Sequence, residues 1–146
     1  MSRYHRFSRI GTRWLAVFGC CLIPSVAALA APPAALVETV LTEPVFHGKA
    51  HVFTAGPEAA PTVVLVHGLG DKAARDWGGL IAVLAREHRV VAFDLPGFGR
   101  SSKGNELYSP ENYAAFLHYL MVEHFHTRTF SLVGHSMGGT IALRYA

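Results

Sequence analysis

Ser136 stands at the centre of Gly134-His135-Ser136-Met137-Gly138, a Gly-x-Ser-x-Gly pattern directly behind the apolar run Phe130-Ser131-Leu132-Val133. A serine flanked in this way is a candidate nucleophile. A sharp strand-to-helix turn forces it into a strained backbone conformation, and glycines two residues to either side let neighbouring backbone pass without a Cβ clash. Five residues alone fit any glycine-rich loop. Here the context agrees on both sides: β-branched and apolar residues over 129–133 suit a buried parallel strand, and good helix formers fill 139–146.

Upstream, the apolar run Pro61-Thr62-Val63-Val64-Leu65-Val66 leads into His67-Gly68-Leu69-Gly70. Attack of a hydroxyl on an acyl carbon builds negative charge on the former carbonyl oxygen. Two preorganised backbone N–H groups stabilise that charge, one from the residue after the nucleophile and one from a loop of this kind. The oxyanion donors are thereby assigned to the N–H groups of Met137 and Leu69. Taken alone, the second motif is an ordinary tight turn. A third apolar run, Val90-Val91-Ala92-Phe93-Asp94, opens into Leu95-Pro96-Gly97-Phe98-Gly99-Arg100-Ser101-Ser102, a turn rich in proline and glycine.

The three motifs in this order resemble the amino-terminal half of an α/β-hydrolase-fold enzyme of the serine hydrolase type, over about residues 45–146. The resemblance implies a mostly parallel sheet with helices on both faces, broken off after the nucleophile elbow, and Ser136 as the catalytic nucleophile. Carboxylic esters or related acyl compounds of small size are the implied substrates. A serine at the elbow speaks against haloalkane dehalogenases and epoxide hydrolases, which place an aspartate there. In this family the triad acid follows the serine, so Asp94 reads as a loop-holding residue. No Asp, Glu or His follows Ser136. A serine without an oriented base is a poor nucleophile, so the chain by itself is expected to be inactive, with the acid and the His in a continuation beyond Ala146. The competing expectation is a non-catalytic half-domain that acts as a binding or partner-dependent module. His135 points elsewhere on the turn and reads as support behind the site or as packing.

Positioning these residues requires strands over about 45–53, 63–66, 90–93 and 130–133, with helices over 77–87 and 112–123 on the faces of the sheet. Tyr113, Phe116, Leu117, Leu120 and Met121 have helical spacing and read as core. The strand ending at Val133 is interior in the implied fold, which would leave it here as a bare apolar edge open to aggregation.

Residues 1–30 carry Arg3, Arg6, Arg9 and Arg13 ahead of an apolar stretch over 14–30 that ends in Ala28-Leu29-Ala30. This pattern predicts an export signal, with a linker over 31–44 and the partial domain over 45–146. Retention of 14–30 as a membrane anchor is the alternative; cleavage would leave no stable membrane association and a periplasmic or secreted product. The whole chain has 13 Lys and Arg against 10 Asp and Glu. Removing 1–30 removes four arginines and no acidic residue, leaving nine cationic against ten acidic side chains. The basic balance is thus a property of the leader and gives no support to nucleic-acid binding. Cys20 and Cys21 leave with it. His118, His124 and His126 with Glu123 do not share a helical face and read as surface residues, so no metal is expected. The Gly-x-Gly pairs lack the further spacing of a dinucleotide site, and no cofactor is called for.

Overall fold

The computed structural model describes residues 35–104 and 106–146. Five strands, β1 (Val37–Glu43), β2 (Gly48–Ala55), β3 (Thr62–Val66), β4 (Arg89–Phe93) and β5 (Ser131–Gly134), form one sheet in the order β1-β2-β4-β3-β5. β2 is antiparallel to β1 and to β4, while β3 is parallel to β4 and to β5. Four strands therefore share one direction and β2 alone opposes them. β3 lies between two parallel neighbours and every one of its residues is buried, which is why its sequence is continuously apolar rather than alternating.

The pleat of β3 divides the core in two. Val64 and Val66 join Val52, Val91 and Phe93 in one cluster, and Val63 and Leu65 join Phe53, Val90 and Ala92 in the other. The first is covered by helices α2 (Pro110–His118) and α3 (Met137–Tyr145), and the second by a 3₁₀ turn (Ala73–Trp77) running into α1 (Gly78–Leu84). The connection from β3 to β4 and that from β4 to β5 travel in opposite directions across the sheet. Right-handed crossovers in opposite directions must lie on opposite faces, so helices on both faces follow from the strand order.

Ser109 and Pro110 start α2 two residues earlier than the sequence predicts. Ser109 Oγ accepts the Asn112 N–H at 3.2 Å and Pro110 fills the first turn, where its missing donor costs nothing. Beyond His118 the helix widens into a π turn (Tyr119–His124), with the Phe125 N–H reaching back to Leu120 O at 3.0 Å. α1 stops at Leu84, short of the predicted end at 87.

The linker expected over 31–44 is corrected within the described residues: Val37–Glu43 is an edge strand paired along its length with β2. The sheet thus begins before residue 45. The cause is Glu43, whose buried carboxylate accepts the N–H groups of Val45, Phe46 and Gly48 at 2.8, 2.9 and 3.0 Å and shapes the hairpin turn from within. The strand predicted over 45–53 starts only at Gly48 because 44–47 form that turn. The export signal expected over 1–30 lies outside the described residues. On its outer side β5 has no partner among the described strands, and Val133 is 37% exposed there.

Glu43→Ala leaves three backbone donors without their acceptor. Stability should fall by about 2–4 kcal/mol, measured as a lower urea midpoint at unchanged slope.

Candidate active site

From β3 the chain crosses to β4, and from β4 it returns over β3 to β5. A reversal of this kind opens a crevice at the carboxyl ends of the two strands on either side of it, where ligand sites of open α/β sheets gather. Residues 67–70 follow β3 and residues 134–138 follow β5, so both motifs arrive at the same crevice.

The turn from β5 into α3 is built around close backbone approach. A Cβ on Gly134 would stand 2.2 Å from Gly138 O, and one on Gly138 would stand 2.2 Å from Val66 O and 2.5 Å from His67 O. The His135 N–H donates to Val66 O at 3.1 Å, and the Gly138 and Gly139 N–H groups donate to His135 O and Ser136 O at 2.9 and 2.8 Å. Squeezed between these bonds, Ser136 adopts φ 53° and ψ −120°, a conformation unfavourable for a residue with a side chain and held by its surroundings. It is exposed and stands at the N-cap position of α3 without a side-chain capping bond.

Among the described residues no acceptor pairs with the N–H of Leu69 or of Met137. Met137 is the first residue of α3, where the helix offers no internal acceptor and its dipole favours negative charge. Both residues line an open cleft of about 300 Å³, together with Phe98, Tyr108, Tyr113 and Ile141. The Tyr113 hydroxyl donates to Pro96 O at 2.9 Å. Burial, with a smaller contribution from Tyr108, pushes this phenol up to about 12, so the wall stays uncharged.

His135 turns away from this cleft. Its ring meets Trp77 edge-on at 6.5 Å and lines a second opening of about 260 Å³ with Asp76 and Gly68. Asp94 is 3% exposed and both its carboxylate oxygens are taken, Oδ1 by the Ala74 N–H and Oδ2 by the Arg100 N–H, each at 2.9 Å. It ties the start of the 3₁₀ turn to the glycine-rich loop after β4. His118 lies 4.0 Å from Glu123 and beside the Tyr145 ring, and His124 packs on Phe125.

His67 plays a part that the sequence motif did not reveal. Its ring is 1% exposed; Nδ1 donates to Gly68 O at 2.7 Å and Nε2 accepts the Leu95 N–H at 2.9 Å. Only the neutral ring protonated on Nδ1 satisfies both bonds. Burial holds its pKa below the ordinary 6.5, against smaller upward pulls from the Gly68 carbonyl and from Asp94 and Asp76. The histidine thus sutures the loop after β3 to the loop after β4, on either side of the cleft. Its position at the end of an apolar strand was the signal available in the sequence. The cleft walls Tyr108 and Tyr113 gave none, because they share a cleft with Leu69 and Met137 only in the folded chain.

Residues 61–146 match the model of the alpha/beta hydrolase fold family. A protein of uncharacterised function from Mycobacterium tuberculosis is 34% identical over 116 residues, 80% of this chain and 31% of that protein. The chain spans 31% of that relative and between 19% and 33% of others it matches. Among solved structures, naproxen esterase from Bacillus subtilis superposes with a TM-score of 0.68 at 26% identity, covering 77% of this chain and 39% of that one. A 2-hydroxy-6-oxo-6-phenylhexa-2,4-dienoate hydrolase from Rhodococcus gives 0.63 at 32% identity, covering 77% and 41%.

Because the His67 pKa is depressed in the fold, the unfolded chain binds more protons below about pH 6.5. The stability this residue contributes is complete above that pH and is lost as the pH falls toward the folded-state value. Unfolding free energies of wild type and His67→Asn, compared from about pH 8 to about pH 5, should show the steeper acid loss in wild type.

Proposed function

Since the chain belongs to the alpha/beta hydrolase fold family, we propose that it is the nucleophile-bearing part of an exported serine hydrolase acting on carboxylic esters or related acyl bonds of small molecules. The observation that carries this reading is the exposed, backbone-strained Ser136, followed directly by Met137, which lines an apolar cleft together with Leu69, the amides of both having no acceptor among the described residues.

In the proposed reaction the Ser136 hydroxyl gives its proton to a histidine base and Oγ bonds to the acyl carbon. The carbonyl electron pair moves onto oxygen, where the Leu69 and Met137 N–H groups hold the oxyanion at the positive end of α3. Collapse expels the alcohol, which takes the proton from the histidine. Water then repeats the sequence and releases the acid. The chemistry requires a histidine base and an acid that orients it, and no Asp, Glu or His stands between Ser136 and Ala146. A side-chain nucleophile with amide charge stabilisers calls on no metal or other cofactor. Export rests on the leader pattern over 1–30, four arginines ahead of an apolar stretch closing in Ala-Leu-Ala.

The full-length protein should be labelled by a fluorophosphonate, and Ser136→Ala should abolish both labelling and ester hydrolysis, the latter by on the order of a thousandfold or more. Labelling that survives the substitution removes Ser136 from its role.

A further inference from the structure

Of the hydroxyl side chains lining the cleft beside Leu69 and Met137, those of Tyr113 and Ser109 are engaged within the protein. The Tyr113 hydroxyl is bonded to Pro96 O and the Ser109 Oγ to the Asn112 N–H. Among the described residues no Lys, Arg, Asp or Glu lines it. A charged group seated among its rings would exchange water for carbon with no charged side chain to pair with, whereas an alkyl or aryl group loses only unfavourable contact with water.

Tyr108 bounds this space on one side. Its ring lies so close over Gly97 that a Cβ there would stand 2.9 Å from the ring's Cζ, and it stacks on Tyr113 with planes 5° apart and centroids 6.2 Å apart. Phe46 supports it at 5.9 Å. A residue at a loop tip, 40% exposed, is thus seated by two rings and a glycine backbone.

Resting on the serine-hydrolase reading above, we infer that this cleft is the acyl subsite, that it takes an uncharged apolar acyl chain, and that Tyr108 sets the length of chain it admits. Gly97 is part of the device, since its φ of 94° favours glycine and a Cβ there would press on the ring.

The test uses the full-length protein. Binding of p-nitrophenyl esters to its Ser136→Ala form is measured by calorimetry across straight-chain acyl groups of increasing length and the hemisuccinate, and turnover of the same esters is measured in wild type. Affinity should rise by about fourfold per methylene and then level off, and the hemisuccinate should bind at least about tenfold more weakly than the apolar ester of equal length. Adding Tyr108→Ala should move the levelling point to longer chains, and Tyr108→Phe, which keeps the ring, should leave it in place. Equal binding of the hemisuccinate, or an unmoved levelling point in Tyr108→Ala, overturns the inference even where wild type turns the esters over. The predicted binding order without any turnover in wild type supports the subsite and removes the nucleophile reading instead.

Discussion

The site depends on one contact, the approach of the Gly138 backbone to the carbonyls of Val66 and His67, closer than any side chain permits. That approach presses the start of α3 onto the end of β3. It leaves Ser136 no conformation but the strained one, and it delivers the Met137 amide to the same crevice as Leu69. Strain of this kind persists only where neighbouring structure over-determines it. Here that structure is the parallel pairing of β3 with β5, which fixes Val66 opposite Gly134 and so sets the height at which the turn begins.

Two buried polar side chains extend this control outward. His67 links the loops after β3 and β4 through its two ring nitrogens, and Asp94 links the loop after β4 to the 3₁₀ turn through its two oxygens. Each bonds backbone rather than side chain, so each fixes the course of a loop while leaving the residues that line the cleft free to vary. Buried polar groups satisfied in full rigidify what they touch. The crevice is therefore open yet its rim is stiff.

The elements nearest the chemistry were legible in the sequence because local pattern and tertiary role coincide there. The glycines at 134 and 138 are forced by close approach, and the run at 62–66 is apolar throughout because both faces of β3 are covered. Legibility failed where the cause was non-local. β1 is mostly exposed and has weak alternation, and what makes it a strand is its pairing with β2 and the buried carboxylate of Glu43, which no local pattern announces. The cleft wall failed for the same reason: Tyr108, ahead of α2, and Met137, at the start of α3, line one cleft although 28 residues separate them in the chain.

The strand order also carries a history. β1 and β2 are joined by a short turn and close a small loop, whereas β3 cannot gain its second neighbour until the chain has passed through β4 and α2 to pair Val63 with Ser131. Loop closure becomes more costly with separation, and distant pairings form late. As the polypeptide leaves the ribosome, the hairpin has its partner at once, while the most buried strand of the sheet waits with one side open. Among the described strands, the turn that holds Ser136 thus follows the last to pair, after β1 to β4 have their neighbours.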